Sequence, residues 1–335
     1  VHITTDGGKN WKNVTPNKNI KGGRVDSVEP SPHKISKAFV TILRYQLGDW
    51  KPYIYRTYDN GDSWDLITQG IPSDHPVRVL REDPKREGLL FAGTEFGMFL
   101  SFDDGDNWQS FQQNLPITPI TDIKIHRNDV VLSTMGRSFW IMDNIDYLRN
   151  VNNNDKEVLY PITNTIRYRN RPFTINHVSY PQPSVDIDYK VSKDSAEEIL
   201  IQIMDLDNNL INSYKSRVKN ENIENYNMST NEFTFILNSN ISNKKGINRF
   251  KWDMRHRGSW NKNSRLLYRN GPLVKPGKYK VILTIDGKLF TENFEIISDP
   301  RIEDINGEIY EEQERILLEI RDFMTDVRFF ENKVS

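Results

Sequence analysis

The chain contains three copies of one eight-residue pattern, in which a hydroxyl residue is followed at fixed offsets by Asp, Gly and Trp. The copies are Thr4–Trp11 (TTDGGKNW), Thr57–Trp64 (TYDNGDSW) and Ser101–Trp108 (SFDDGDNW), and they begin 53 and then 44 residues apart. A repeat of this length, with strand-like runs between the copies, is typical of a β-propeller built blade by blade. The repeats therefore predict an all-β fold.

Each copy has the composition of a tight turn between two strands. The Asp carboxylate is expected to accept backbone N–H groups of the turn, and the Gly three residues before the Trp supplies a positive φ. The Trp is expected to pack between neighbouring sheets. The pattern resembles the Asp-box, or BNR repeat, which staples a turn and performs no chemistry. We therefore predict a structural role for Asp6, Gly8, Trp11, Asp59, Gly61, Trp64, Asp103, Gly105 and Trp108.

The runs between the copies predict the strands of each blade. In the third repeat these are Val77–Arg81, Leu89–Gly93, Met98–Ser101 and Trp108–Phe111, and in the second Arg24–Val28, Ala38–Tyr45, Tyr53–Tyr58 and Trp64–Ile67. A fourth unit stops after three strands, Thr121–Ile125, Val130–Thr134 and Phe139–Asp143. This makes three to four blades, whereas closed propellers have at least four. We expect a C-terminal fragment of a larger protein, with the remaining blades of the same polypeptide as its partner.

The pattern changes after residue 150. Short alternating strands separated by Asn, Gly and Pro predict an immunoglobulin- or fibronectin-like β-sandwich over 151–300. Its expected strands are Ser184–Val191, Glu198–Asp205, Glu232–Leu237, Arg249–Asp253, Gly277–Ile285 and Leu289–Ile296. The predicted domains are thus the propeller blades at 1–150, the sandwich at 151–300 and the start of a helical segment at 301–335.

The helical segment is amphipathic. Its apolar stripe consists of Ile309, Ile316, Leu317, Ile320, Phe323, Met324 and Val327. We expect this stripe to pack against a second helix, with a membrane surface or a partner protein as alternatives.

Composition excludes several classes of function. The 45 basic and 46 acidic residues leave a net charge of −1, so nucleic acid is not an expected partner. There is no cysteine and hence no disulfide or thiolate metal site. No apolar run approaches the roughly 20 residues of a transmembrane segment. The six histidines lack metal-site spacing, and neither a G-x-S-x-G elbow nor a Gly-rich phosphate loop occurs, so no cofactor and no metal are predicted.

Several runs resemble the sortilin-type propeller proteins of bacteria, which are often labelled glycosyl hydrolases of the Asp-box class. In the blades these are Pro52–Thr57, Glu82–Pro84, Gly93–Gly97 and Gly136–Asp143, and in the sandwich Gly246–Asp253, Gly271–Pro272, Pro276–Tyr279 and Asp299–Arg301. The resemblance implies a propeller followed by a β-sandwich and an extracellular or periplasmic location. Met135 stands where a His is usual in the family, so any chemistry of that His would be lacking here.

Blade topology predicts where a ligand would bind. In an up-and-down blade, the turn between the second and third strands and the link to the next blade share one face, opposite the eight-residue turns. That face is expected to carry Asp49, Trp50, Lys51, His75, Glu95, Phe96 and Arg137. Glu95 and Asp49 are the candidate catalytic carboxylates, since a glycosidase needs a pair about 5–5.5 Å apart if retaining and about 6.5–9.5 Å apart if inverting.

Four of these residues, Glu95, Asp49, Lys51 and Arg137, also have a structural interpretation. Glu95 can bind turn amides or pair with Arg78 or Arg137, and Asp49 and Lys51 can form a solvated loop. Arg137 can neutralise an acidic ligand group or pair within the protein. Trp50 and Phe96 suit stacking on a sugar ring or a peptide side chain.

The favoured hypothesis is a non-catalytic propeller module of a larger exported bacterial protein that binds a peptide, protein or glycan ligand. The enzymatic alternative is a glycoside hydrolase acting on polysaccharide or glycan, with Glu95 and Asp49 as its carboxylates or with one of the two carboxylates in the remaining blades of the propeller. A structural assembly module, using the sandwich and the helix, is the third possibility.

Overall fold

The computed structural model describes residues 1–16, 22–152, 156–168, 183–195, 198–216, 241–260, 271–302 and 307–334. The chain divides into two units, Val1–Arg149 and Asn150–Ser335, which we call the propeller unit and the sandwich unit. Strands make up most of the regular structure in the described residues. The fold class is all-β, as the sequence predicts.

The propeller unit consists of successive antiparallel sheets. Its strands are β1 (His2–Ile3), β2 (Lys12–Asn13), β3 (Arg24–Pro30), β4 (Ala38–Leu43), β5 (Ile54–Thr57), β6 (Asp65–Leu66), β7 (Val77–Glu82), β8 (Leu90–Thr94), β9 (Gly97–Ser101), β10 (Gln109–Ser110), β11 (Ile120–His126), β12 (Asp129–Thr134) and β13 (Phe139–Met142), followed by the helix α1 (Asp146–Asn150). The sheet orders are β1-β2, β3-β4-β5-β6, β7-β8-β9-β10 and β11-β12-β13. Each sheet is a meander of sequential strands, the arrangement of propeller blades.

The apolar core of this unit lies between neighbouring sheets. Strands β8 and β9 are buried at every residue, and β7 contacts both β3 and β11. Strands enclosed on both faces have continuous apolar runs rather than alternation. One buried cluster joins the second and third sheets, and its largest members are Phe39, Phe99 and Trp108.

Several strand boundaries differ from the sequence prediction by one or two residues, and at two of them a local interaction gives the reason. Strand β4 ends at Leu43 instead of Tyr45, since Tyr45–Leu47 form a 3₁₀ turn that ends at Gly48 with φ 79°. Strand β10 does not include Trp108. The backbone N–H of Trp108 instead donates to the carbonyl of Gln69, in the link that follows the second sheet, at 2.8 Å.

The three eight-residue turns share one hydrogen-bond pattern. The hydroxyl of the first residue accepts the Gly N–H at 2.9 Å in every copy. The Asp carboxylate accepts the N–H of the residue before the Trp, also at 2.9 Å. Short polar side chains thus satisfy the backbone donors of the turn.

The sandwich unit contains two sheets with a shared core. Its strands are β14 (Val158–Leu159), β15 (Thr165–Arg167), β16 (Val185–Ser195), β17 (Ile199–Asp205), β18 (Leu210–Lys215), β19 (Lys244–Trp252), β20 (Gly277–Ile285) and β21 (Lys288–Ser298). The sheet orders are β14-β16-β19 and β15-β21-β20-β17-β18, and among these described strands only β15 and β21 pair in parallel. Trp252 of the first sheet meets Tyr279 and Phe294 of the second, with ring centroids 6.3 and 6.1 Å apart.

The predicted strand Glu232–Leu237 lies outside the described residues. The predicted strand Gly277–Ile285 is β20, with the same bounds. A long helix, α2 (Gly307–Val334), follows the last strand. Among the described residues, no helix combines the length and apolar character needed to cross a bilayer.

Candidate functional site

The strand register places the candidate residues at one edge of the propeller sheets, which we call the loop edge. The first residue of β3 pairs with the last of β4, so this edge includes the loop 44–53. By the same register, the turn 95–96 and the turn 135–138 lie beside the starts of β7 and β11. The eight-residue turns lie at the opposite ends of the strands.

The innermost strand of each of these three sheets carries a β-bulge near the loop edge. The pairing skips Asp26 in β3, Arg78 in β7 and Thr121 in β11. A bulge re-aims a side chain and is over-represented next to functional sites. Sequence reasoning missed Asp26 and Thr121 and named Arg78 only as a partner for Glu95, although a signal is present: a polar residue follows Val25, Val77 or Ile120 at the same point of each strand.

Arg78 forms an ion pair with the candidate catalytic residue Glu95. Its Nη2 lies 2.6 Å from Oε1 of Glu95, and both side chains are largely buried. The carboxylate of Asp26 lies 3.8 Å from Nη1 of Arg78 and pairs with Arg24 at 2.5 Å. The pairing of Glu95 with Arg78, one of its structural interpretations, is therefore what the structure shows.

The second candidate carboxylate, Asp49, is held within its own loop. It accepts hydrogen bonds from Nε of Arg44 at 3.0 Å, the hydroxyl of Tyr53 at 2.7 Å and the backbone N–H of Lys51 at 3.2 Å. Partial burial raises the pKa of Asp49, but the hydrogen bonds from Tyr53, Lys51 and Arg44 outweigh it and hold that pKa below the usual value. Burial and the bond to Asp49 raise the pKa of Tyr53 to about 12.

Exposed aromatic rings lie beside these ion pairs. Trp50 is 48% exposed and tilts against Tyr45, with ring centroids 5.8 Å apart. The guanidinium of Arg78 lies 5.9 Å from the same Tyr45 ring, within cation–π range. Trp50, Tyr45, Arg78 and Glu95 therefore form one continuous row across the second and third sheets.

Phe96 and His75 form a second aromatic contact next to Glu95. Phe96 is 37% exposed, and its ring centroid lies 4.9 Å from that of His75. Nδ1 of His75 is 2.7 Å from a carboxylate oxygen of Asp74. His75 thus has a partner on one ring nitrogen and an aromatic neighbour tilted against its ring.

Arg137 lies in the turn between β12 and β13 of the fourth sheet, where its backbone is hydrogen-bonded and its side chain is exposed. Its N–H donates to Thr134 Oγ1 at 3.1 Å, and its carbonyl accepts Nε1–H of Trp140 at 2.8 Å. Within the described ranges, the Arg137 guanidinium and the Lys51 ammonium make no ion pair, and no contact joins Arg137 to Glu95 or Asp49. Both cations therefore remain available at the loop edge.

Both candidate carboxylates are already engaged in ion pairs. Each candidate carboxylate has its own arginine, Arg44 for Asp49 and Arg78 for Glu95, and no described contact brings the two carboxylates together. In the parts of the chain the structure describes, no group of three His, Asp or Glu side chains is arranged to hold a metal ion.

Comparison with known proteins yields only distant structural likeness. No family model matches the chain, and no curated protein matches it. An ancestral GH74 enzyme is 18% identical with a TM-score of 0.29, covering 34% of this chain and 14% of its own. YCF48 bound to D1 peptide is 16% identical with a TM-score of 0.33, covering 56% of each chain.

A GH74 enzyme of Niastella koreensis is 11% identical with a TM-score of 0.30, covering 51% of this chain and 27% of its own. The chain thus spans less than two thirds of the length of each of these proteins. The fold class rests on the strands and pairings described above.

Proposed function

We propose that the propeller unit is a non-catalytic ligand-binding module whose ligand binds at the loop edge. The observation that carries this proposal is the combination of exposed rings at Trp50 and Phe96 with carboxylates already engaged in ion pairs. A Trp or Phe face suits stacking on either a sugar ring or an apolar peptide side chain. Lys51, His75 and Arg137 supply polar contacts around these rings.

The state of the carboxylates supports binding over hydrolysis. A glycosidase needs one carboxyl group whose raised pKa lets it donate a proton, and a second one placed opposite it. The pKa of Asp49 is shifted in the other direction, and Glu95 is paired with Arg78. The hydrolase alternative therefore becomes an outcome of the experiment below.

The family and location remain part of the proposal. The blade and sandwich motifs that resemble bacterial sortilin-type Asp-box proteins support membership of that family. They also support a role as a module of a larger exported protein, in the periplasm or outside the cell. Within this proposal the ligand is a glycan, a peptide or a protein.

The test is binding of the 335-residue chain to printed glycans and to a peptide library, followed by affinity measurement on the best ligand. We expect Trp50→Ala and Phe96→Ala each to weaken binding by about 10-fold or more, since hot-spot aromatics dominate such sites. Trp11→Ala is the matched control, because Trp11 is an exposed Trp in an eight-residue turn at the opposite edge. Its affinity should change by less than about 2-fold.

Turnover is measured in parallel on a panel of polysaccharides and sialylated glycans, with Glu95→Gln and Asp49→Asn as variants. Turnover that falls by about 10²-fold in either folded variant would establish the hydrolase and overturn the binding-only proposal. Equal losses of affinity in Trp11→Ala and Trp50→Ala, or no ligand at all, would also contradict a binding site at the loop edge.

A further inference from the structure

Helix α2 places a mostly polar face, which also includes Tyr310, Leu318 and Phe329, against loops of the sandwich unit. Its half-buried residues are Tyr310, Glu314, Leu318, Arg321, Thr325, Arg328, Phe329 and Asn332. Glu314 lies 2.7 Å from Nε2 of His256 and accepts the backbone N–H of Lys275 at 3.1 Å. The hydroxyl of Thr325 accepts the N–H of Trp260 at 3.0 Å. Hydrogen bonds and ion pairs thus contribute much of the attachment of the helix.

The opposite face of α2 is apolar and exposed. It consists of Ile309, Ile316, Leu317, Ile320, Phe323, Met324, Val327, Phe330 and Val334, which we call the apolar seam. Phe323 is 68% exposed and Phe330 70% exposed, and the described residues leave the whole seam open. An amphipathic helix normally buries its apolar stripe. A contiguous exposed apolar patch with a polar rim marks an interaction surface.

The spacing of the seam indicates the shape of its partner. Six seam residues are spaced alternately four and three positions apart. They are Ile316, Ile320, Phe323, Val327, Phe330 and Val334. This is the a/d spacing at which two helices interlock their side chains. From Ile309 to Val334 the seam is about 38 Å long at 1.5 Å per residue. A second helix fits such a seam along its length.

Charge indicates the chemistry of that second helix. Helix α2 contains eight acidic and four basic residues. Glu312, Glu319 and Asp326 recur every seven residues along one side of the seam, and Arg315 bridges only the first two, at 2.7 and 2.6 Å. A second copy of α2 would bring the same acidic row, and anionic lipid would also be repelled. Lysine and arginine on the partner complement this rim.

We propose that the apolar seam of α2 docks a partner protein through an amphipathic helix whose own apolar stripe is flanked by lysine and arginine. The partner's stripe fills the seam, and its basic side chains lie along the row of Glu312, Glu319 and Asp326. The proposal concerns the sandwich unit alone and does not depend on ligand binding at the loop edge.

The test uses the 335-residue chain with two synthetic 28-residue peptides. Both contain the same Ile/Leu heptad stripe, and they differ only in having Lys or Glu at the flanking positions. We expect the Lys peptide to bind at least about 10-fold more tightly than the Glu peptide. The double variant Glu319→Lys/Asp326→Lys should reverse this preference.

Phe323→Asp should abolish peptide binding without loss of fold, because Phe323 is 68% exposed in the free chain. Ile35→Asp is the matched control, since Ile35 is a fully exposed apolar residue of the propeller unit, and it should leave binding unchanged. Circular dichroism checks the folding of each variant.

Four results would overturn the proposal. They are failure of both peptides to bind, equal binding of both peptides, dimerisation of the free chain in light scattering that Phe323→Asp abolishes, and binding to phosphatidylserine vesicles that Phe323→Asp abolishes. The third result would assign the seam to a second copy, and the fourth to a membrane surface.

Discussion

The first and third eight-residue turns have the same local structure but opposite tryptophan environments. In both, the hydroxyl of the first residue and the Asp carboxylate accept the same N–H groups at the same distances. Trp11 is nevertheless 61% exposed, whereas Trp108 is 5% exposed. The comparison separates what the turn sequence sets from what its surroundings set.

The difference lies in the partner of the indole. Nε1–H of Trp108 donates to the carbonyl of Ile67, which follows β6 of the preceding sheet, at 2.9 Å. Nε1–H of Trp64 similarly reaches the carbonyl of Val14 at 2.7 Å. Nε1–H of Trp11 instead donates to Gly8 within its own turn, at 3.1 Å. The turn directs the indole outward from its own sheet, and a neighbouring sheet is what buries it.

The largest expected effect is on the two tryptophans. Trp108→Ala should lower the free energy of unfolding by about 3 to 5 kcal/mol, because it removes a buried indole and leaves a cavity. Trp11→Ala should change it by no more than about 0.5 kcal/mol, as for an ordinary surface substitution. Urea unfolding followed by far-UV circular dichroism measures both. Comparable losses in the two variants would mean that Trp11 is buried in solution.

A smaller difference is expected at the glycines of the same turns. Gly8 and Gly105 both have a positive φ, 88° and 92°. A Cβ at Gly105 would lie 2.4 Å from Cδ1 of Ile67, whereas at Gly8 the nearest atom is 3.9 Å away. Gly8→Ala should therefore cost about 1 kcal/mol from backbone strain alone. Gly105→Ala should cost about 2 to 3 kcal/mol, because crowding adds to the strain.

The same unfolding measurement tests the glycine pair, with Gly7→Ala as a further control because Gly7 has a positive φ and open space around its Cβ position. Gly7→Ala should match Gly8→Ala. If Gly105→Ala lowers the free energy of unfolding no more than these two substitutions do, Ile67 moves aside without an energetic penalty.

The smallest effect is expected in acid, where the turns should behave alike. Hydrogen bonds from the backbone and side chain of Asn10 and from Thr4 lower the pKa of Asp6 to about 2. Those from the side chain and backbone of Ser63 and from Thr57 lower the pKa of Asp59 to about 2. Both values lie below the ordinary 3.8, so the stabilisation is complete above about pH 4 and is lost as the pH falls through about 2.

Carboxyl chemical shifts followed from pH 5 to pH 1.5 measure both pKa values. Asp59→Asn should flatten the dependence of the melting temperature on pH between about 4 and 2. An ordinary pKa at Asp6 beside a lowered one at Asp59 would show that the first turn is not formed in solution, and that burial of its Trp is needed to close it.

Much of the fold could be predicted because its signals are local. Residues close in sequence encode the eight-residue turns, the alternating strands and the apolar stripe of α2. The sheets and the helix of the structure lie at the positions that these patterns predict. The placement of Trp50 and Glu95 at one edge follows from strand order. The 3₁₀ turn after Leu43 was missed, because Gly48 ends it within an apparently continuous strand pattern.

The ion pairs and bulges of the candidate site were harder to predict. Arg78 and Asp26 lie on different strands of different sheets, and a one-residue bulge in each strand aims them at the loop edge. Pairing between side chains of different sheets depends on how neighbouring sheets pack together, which no short stretch of sequence encodes.

The sequence by itself determined the turns, the strand order, the all-β class and the amphipathic character of α2, since these follow from side-chain hydrogen bonding and hydrophobic period over a few residues. Only the tertiary structure decided which Trp is buried, which arginine neutralises Glu95 and which face of α2 meets the sandwich. These outcomes depend on surfaces that distant parts of the chain bring together. The burial of a side chain and the pairing of its charge are determined by the residues that pack against it, which can be far away in sequence.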